Sequence, residues 1–591
     1  MQAGDREGNG VDEQGTMMGS ETDPFERACI VAMWLVVGLA FLTLALPFIA
    51  GGERLTGSLA FKQDFYVAPI FLVILLLARR WNAKLSTTPT RAPRLQLWIA
   101  ASIVLMIAVG WAGHYLVFDG YDLSRDEQMA TFDAAIFRSG HWFAPIPNAW
   151  RPIANCLNLV FILPIGDRQY WVSSYLPIHS LWRALIGLIA NPALASPLMA
   201  AFGGFCIWRV SRLLWPAATG VQLACVAFYA GSSQVLITAM TAYSMSMHVA
   251  LNMLWLWLFL LDRRTSHVAA MIVGWFATGI HQPVFHAMFV APFFLMLLGQ
   301  KRWNLLAAYV ATYAVIGAFW LGWPIWVSSH GSVPAVAIHG TGGVGFFDRF
   351  LSILGAWKND PPWIMAANLL RFVCWQHPLL LPCAILGLGL NFRKDPVCRS
   401  LAIGFVLPIA VSAIVLPWQG YGWGYRYVHP VLGNAVLLAG YGWQALGDRQ
   451  VNLGPLLKRS TGLALLVIFP FFALTTHRIV SPFSDARRAI ASTPADIVIV
   501  DTGAAPYSDD IVFNRADLSN RPIALLAGSL KPSDLAIVCK QGSVAFLPGE
   551  RLSRISQIHG GESSAHSTPQ MVALINSATA ARCRVIPISA S

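Results

Sequence analysis

Residues 118–142 read Phe-Asp-Gly-Tyr-Asp-Leu-Ser-Arg-Asp-Glu-Gln-Met-Ala-Thr-Phe-Asp-Ala-Ala-Ile-Phe-Arg-Ser-Gly-His-Trp and hold the most informative side chains of the sequence. Ser124 precedes a helical pattern that runs to Phe137 and stops at Ser139-Gly140, which predicts a serine-capped helix. Asp126 and Glu127 fall in its first turn, and two uses are open to them. They can favour the positive end of the helix dipole and do no more. Alternatively, a carboxylate facing a cavity, partly out of water, can take a proton from a hydroxyl. Arg426 is the sole charged residue of segment 418–428 and lies between Tyr425 and Tyr427. A guanidinium gives phosphate a two-pronged donor set, and near a bilayer it also reaches ordinary lipid headgroups. His281 and His286 sit in or beside an apolar hairpin, and ionisable groups in such places are functional suspects. Pro283 and their spacing keep them off one helical face, and no third ligand accompanies them, so no zinc site is expected. Cavity-lining bonds to sugar or phosphate and plain interhelical bonds both fit.

The surrounding sequence says what must position these groups. Of 591 residues, 56% are hydrophobic and 12% charged, about half the charged fraction of a soluble domain. That excludes a soluble globule and a disordered chain, and nine cysteines are too sparse for a disulfide scaffold. The net charge of +12 is scattered through short loops and forms no single basic patch, so no nucleic-acid partner is expected. Apolar runs at 28–50, 65–79, 97–117, 192–208, 217–236, 240–261, 268–280, 283–298, 303–323, 377–391, 400–417, 429–446 and 460–478 predict an all-α polytopic membrane protein with about 13 crossings.

Loop charges orient it. Arg79, Arg80, Lys84, Arg91 and Arg94 share one loop, and Arg209/Arg212, Arg263/Arg264, Lys301/Arg302, Arg393/Lys394/Arg399 and Arg449/Lys458/Arg459 mark five more. Loop 51–64 is balanced, and loop 118–175 is acidic through Asp119, Asp122, Asp126, Glu127, Asp133 and Asp167. The excess of bases on one side predicts a cytoplasmic N-terminus, an outward-facing loop 118–175 and an extracytoplasmic C-terminus. Residues 1–24 read as a disordered cytoplasmic tail and 25–478 as the transmembrane domain. Residues 479–591 read as a small extracytoplasmic α/β domain, with strands at 496–500, 522–527, 535–539, 543–547 and 584–588 and a helix at 568–581. Cys539 and Cys583 lie in it, either bonded or as two buried thiols. Most tryptophans end apolar runs, where the membrane interface accounts for them. Trp142 and Trp150, inside loop 118–175, are the better substrate contacts.

The chain resembles the GT-C superfamily of membrane glycosyltransferases, whose members include protein O-mannosyltransferases and aminoarabinose transferases. Three blocks carry the resemblance: Arg125-Asp126-Glu127-Gln128 through Ser139-Gly140; Ser173-Ser-Tyr-Leu-Pro-Ile-His-Ser-Leu-Trp182, followed by Asn191-Pro192; and Gly424-Tyr-Arg-Tyr-Val-His-Pro430, similar to a Gly-x-Arg-Tyr-x-x-Pro segment. It covers roughly residues 97–446. The basic residue some relatives carry before a proline pair is replaced around Tyr175-Leu176-Pro177. An Asp-x-Asp metal motif is absent, Asp119 and Asp122 being too far apart.

The resemblance implies a glycosyltransferase that moves a sugar from a polyprenyl-phosphate donor to a glycan, glycolipid or protein acceptor outside an inner (plasma) membrane. It implies Asp126 as base, with Glu127 orienting it or the acceptor, and Arg426 on the donor phosphate, with Arg125 or Arg151 as helpers. Tyr425, Tyr175, His179, His281 and His286 are the further candidates for substrate contact. Direct displacement by one base implies inversion, and neither metal nor cofactor is expected. A multi-pass lipid or glycan transporter or flippase, or a non-catalytic scaffold for envelope assembly, is the alternative. The lack of acids within the apolar runs argues against the carrier.

Overall fold

The structure, a computed structural model, describes residues 23–45, 55–80, 95–157, 161–165, 168–329, 364–447, 453–559 and 566–588. Most of the expected tail 1–24 therefore lies outside the described residues. The chain is a bundle of helices with a small α/β layer after it. Seven helices among the described residues are long and apolar enough to cross a membrane: Pro24–Ala45, Leu55–Arg79, Leu95–Leu116, Pro192–Leu214, Trp303–Val327, Pro396–Val415 and Gly454–Ala491. Thr219–Ala230 and Ser233–Ala239 form a bent pair, at 56°, that would make an eighth. Shorter apolar helices fill the bundle. Two of these, Ile178–Ile189 and Ile364–Cys374, escaped the sequence reading because His179, Arg183, Asn368 and Arg371 interrupt their hydropathy.

Lipid offers little drive for helices to associate, so the bundle depends on close fit. Gly387 of Leu380–Asn391 lies against the Leu438 carbonyl, and Gly442 of Leu432–Gly447 lies against the Cys383 backbone. Any side chain at either position would collide with main chain.

Loop 51–64 is corrected where it is described. Residues from Leu55 onward are helical, with a π-helical stretch at Ala60–Asp64 that leads into Phe65–Arg79. The wider turn carries Gln63 and Asp64 inward, and both are fully buried. Arg371 meets them. Its Nη1 donates to Asp64 Oδ2 at 3.0 Å and its Nη2 to Gln63 Oε1 at 2.7 Å. Its Nη2 and Nε donate to the Gly422 carbonyl at 2.8 and 3.2 Å. Trp375 Nε1 occupies the other Asp64 oxygen at 2.8 Å. A buried acid thus exists inside the bundle, contrary to the sequence reading, but both its oxygens are engaged.

Loop 118–175 and the C-terminal layer fold together. The loop contains the Arg125–Arg138 helix and an antiparallel sheet in which Tyr170–Ser173 pairs with both Ala144–Pro145 and Ile162–Ile165. The C-terminal layer has a parallel sheet ordered Ile523–Leu526, Ile497–Val500, Val544–Leu547. Its central strand, Ile-Val-Ile-Val, is buried throughout, as a strand covered on both faces should be. Met129, Phe132, Ile136 and Trp171 of the loop share one apolar core with Ile497, Ile499, Leu525 and Leu574.

Two expected strands are corrected. Segment 535–539 is a helical turn, Leu535–Val538, which Pro532 and the Asp534 carboxylate on Lys531 N–H initiate. Segment 584–588 contributes one bridge, Val544 to Val585. Cys539 and Cys583 form a disulfide that ties that turn to the final segment.

Removing one partner from a buried ion pair strands the other. Asp64→Ala is expected to lower folding stability by about 3–5 kcal/mol, and Asp64→Ala with Arg371→Met to recover part of it. Thermal unfolding in detergent checks both; an unchanged melting temperature in Asp64→Ala would refute the pairing.

Candidate active site

The Arg125–Arg138 helix starts in a capping box. Ser124 Oγ accepts from Glu127 N–H at 3.3 Å, and Glu127 Oε2 accepts from Ser124 N–H at 2.9 Å. This turns Glu127 back toward the helix start and buries it. Asp126, about 100° away around the helix, faces a cavity of about 290 Å³ instead. The sequence pair therefore divides: Asp126 lines the cavity, while Glu127 is a buried cap and does not line it.

Asp126 accepts from two groups far away in sequence. Tyr175 O–H donates to Oδ1 and Arg426 Nη1 to Oδ2. The side chains of Asp126 and Arg426 keep 18% and 14% of their surface open, so the pair is largely but not wholly withdrawn from water. Burial alone would raise the Asp126 carboxyl, but Arg426, His281 and the Tyr175 hydroxyl outweigh it and hold the group below its ordinary value. Burial likewise disfavours the Arg426 charge, and Asp126 more than restores it.

The Gly-rich segment that presents Arg426 is held from several helices. Arg426 N–H donates to Gln419 Oε1 at 2.9 Å, and Gln419 Nε2 to Asn368 Oδ1 at 3.0 Å. Gln234 Nε2 donates to the Tyr425 carbonyl at 2.9 Å and Tyr243 O–H to the Tyr421 carbonyl at 2.7 Å. Arg371 takes the Gly422 carbonyl, as above. Gly420 and Gly424 adopt φ of +65° and +78°, values that glycine reaches without strain. The Arg426 guanidinium packs over the Tyr427 and Tyr243 rings, 5.1 and 5.8 Å from their centroids. Its Nε is buried and makes no hydrogen bond among the described residues.

The other sequence candidates are sorted by the same geometry. Tyr175, His179 and His281 line the cavity. The His281 ring meets the Tyr175 ring edge-on at 4.2 Å, and His179 Nε2 bonds the Ala242 carbonyl at 2.8 Å. Arg125 reaches the cavity rim, but its guanidinium is paired with Asp510 at 2.9 Å and Asp509 at 3.2 Å. His286 bonds Asn252 Oδ1 at 2.7 Å and the Tyr313 hydroxyl at 2.8 Å. With both ring nitrogens used inside the bundle, it is an interhelical tie rather than a substrate contact. Tyr425 is fully buried, its hydroxyl 3.7 Å from Met365 Sδ, and does not line the cavity. Arg151 Nε bonds the Ile146 carbonyl at 3.0 Å, away from the cavity. Trp142 packs edge-on against Trp323, and Trp150 belongs to the core shared with the C-terminal layer.

Among the cavity residues that the sequence did not single out are Tyr243, His248, Tyr427, Tyr507 and Asp510. The polar interruptions Ser244 and His248 in an apolar run were an unused signal for the first two. Tyr427 stood beside Arg426 and received no role. Tyr507 and Asp510 come from the C-terminal layer, and nothing in their local sequence announces contact with residue 126. Tyr121 O–H and Gln128 Nε2 both bond the Asp510 carbonyl, each at 2.6 Å, which seats that layer on the loop helix. Burial pushes the Asp510 carboxyl up to about 7 against the pull of Arg125.

No family model and no curated protein matches the sequence. The chain is similar in structure to ArnT from Cupriavidus metallidurans bound to undecaprenyl phosphate, with 13% identity and a TM-score of 0.47 over 83% of this chain and 90% of that one. For the same protein in the apo state the values are 13%, 0.43, 83% and 89%. The Archaeoglobus fulgidus oligosaccharyltransferase, tethered to an acceptor peptide, is similar at 11% identity and a TM-score of 0.36 over 72% of this chain and 60% of that one.

Burial, reinforced by Asp122, pushes the Glu127 carboxyl above its ordinary range. A raised carboxyl binds its proton more tightly in the folded chain, so stability is lost as pH climbs from the ordinary range through the raised value. Glu127→Gln keeps an acceptor for the cap and removes the titration. Its melting temperature relative to the wild type is expected to rise between about pH 5 and about pH 8; a constant difference would refute the role of burial.

Proposed function

We propose that this protein transfers a sugar from a lipid-phosphate-linked donor to an acceptor hydroxyl. The observation that carries the reading is the Asp126–Arg426 pair, with Tyr175, at the wall of a partly open cavity in a helical membrane bundle. The pair puts a base and a phosphate-binding cation side by side, and the three-block resemblance of the sequence agrees with it. In this reading the donor phosphate takes a share of the Arg426 guanidinium, including its unbonded Nε. Asp126, no longer holding the whole of that charge, becomes a stronger base. It accepts the acceptor's hydroxyl proton as that oxygen bonds to the anomeric carbon, and the bond from that carbon to the lipid phosphate breaks with its electron pair. Phosphate leaves without protonation because Arg426 meets the charge. One displacement with one base inverts the anomeric centre, and no metal enters the scheme. The arginine-rich loops support an N-terminus in the cytoplasm and a site on the outer face of an inner membrane.

The carrier alternative gains one observation, the acid Asp64 inside a span. Both oxygens of that acid are already bonded, which leaves no free carboxylate for proton coupling.

Asp126→Asn is expected to lower glycan transfer by at least about 10²-fold with normal expression; a carrier or scaffold would tolerate it, and retained transfer would sink the reading. The pH profiles supply a second check. In the free protein Arg426 keeps the Asp126 carboxyl low, so the acid limb of kcat/KM lies low. With donor bound, phosphate offsets Arg426 and the carboxyl rises, so the acid limb of kcat is expected at higher pH. Coincident limbs would show that phosphate does not engage Arg426.

A further inference from the structure

A second and larger cavity, of about 800 Å³, lies between the far half of the loop helix and the C-terminal layer. Thr131, Ala135 and Arg138 of the helix form one wall, and residues 513–517 and 519–522 with Arg487 form the other. Its charge is one-sided. Arg138, Arg487, Arg515 and Arg521 face it together with His141, against the single acid Asp517. Among the described residues none of these four guanidinium groups is within salt-bridge distance of a carboxylate. Arg487 is spent on its own layer, since its Nη2 donates to the Phe513 carbonyl at 2.7 Å. Arg515 and Arg521 are exposed and their hydrogen bonds go to neutral partners: Ser519 Oγ at 3.5 Å for one, and the Leu518 and Asn520 carbonyls at 3.0 and 2.8 Å for the other; the Asp517 carboxylate feels the Arg515 charge and the Asp496 carboxylate that of Arg521, both from beyond salt-bridge distance. The helix C-terminus accounts for Arg138 by its dipole, but it does not account for the other two.

The cleft is not a uniform basic surface. Phe143, Phe513, Pro145 and Pro522 interleave with the arginines, giving flat apolar faces beside oxyanion forks. The cleft is distinct from the cavity already described: Asp126 stands in the first turn of the loop helix and Arg138 in its last, about 18 Å apart along the axis and about 120° around it, and the two spaces share no lining residue.

We propose that this cleft binds an anionic glycan, its carboxylate or phosphate groups on Arg138, Arg515 and Arg521 and its sugar faces on the rings, at a site apart from the Asp126 cavity. The binding does not depend on the transfer reading. Ion pairs at such open guanidinium groups are screened by salt, so binding weakens as salt is raised.

The test is titration of the detergent-purified full chain with hexagalacturonate, with maltohexaose carrying 6-phosphates and with plain maltohexaose, followed by calorimetry. Binding of at least one charged glycan is expected, tighter than the neutral one by about tenfold or more, and the two charged probes tell carboxylate from phosphate recognition. Arg515→Gln with Arg521→Gln is expected to remove that preference. Arg138→Gln, whose side chain makes no hydrogen bond or ion pair among the described residues, is expected to weaken it. Asp126→Asn is expected to bind as the wild type does. Equal affinity for charged and neutral glycans, no binding of either charged probe, or an undiminished preference in the arginine variants would overturn the cleft. Loss of the preference in those variants combined with full transfer by Asp126→Asn would leave the cleft standing and remove the catalytic reading.

Discussion

The ion pair between Asp126 and Arg426 joins two segments 300 residues apart, and the surrounding architecture serves to bring these two charges to one place. A carboxylate and a guanidinium withdrawn from water are costly unless they meet with good geometry and further hydrogen bonds. Here the carboxylate has Tyr175 as its second donor, and the guanidinium lies between two tyrosine rings. The loop behind Arg426 is held by Gln419, Gln234, Tyr243 and Arg371. Because Arg371 is also the partner of Asp64, the π-helical stretch at Ala60–Asp64 and the loop that carries Arg426 share one buried cation.

The second constraint is apolar. The loop helix is amphipathic on two unlike sides. Met129, Phe132 and Ile136 enter a core with the C-terminal sheet, while Asp126 and Ala130 face the cavity. Fixing a surface helix costs backbone entropy that its own short length does not return. The C-terminal layer supplies the apolar surface that holds it, and adds Tyr507 and Asp510 to the cavity wall. A domain that looks like an appendage in the sequence is therefore a wall of the site.

What was legible in the sequence follows from the range of each interaction. The helix at Ser124, its end before Gly140 and the cap were readable because capping is a contact over three residues. The apolar runs were readable because lipid demands continuous apolar length. Arg426 stood out as one charge among glycines and aromatics. The turn at Leu535–Val538 was misread as a strand because a short apolar run looks the same in either form. The pairing of Asp64 with Arg371 and the tie of His286 to Asn252 and Tyr313 depend on which helices become neighbours, and no local pattern records that. Glu127 and Asp126 are chemically alike and adjacent; only the rotation of the helix separates a buried cap from a cavity acid.

The shared core also sets an order of events during synthesis. Trp171 Nε1 bonds the Ala516 carbonyl, 345 positions later in the chain, and the apolar face of the loop helix has its partners among strands translated long after it. A ribosome therefore delivers the helix bearing Asp126 long before the surface that holds it in place. Until those strands arrive, the apolar face of that helix lacks the partners it has in the folded chain.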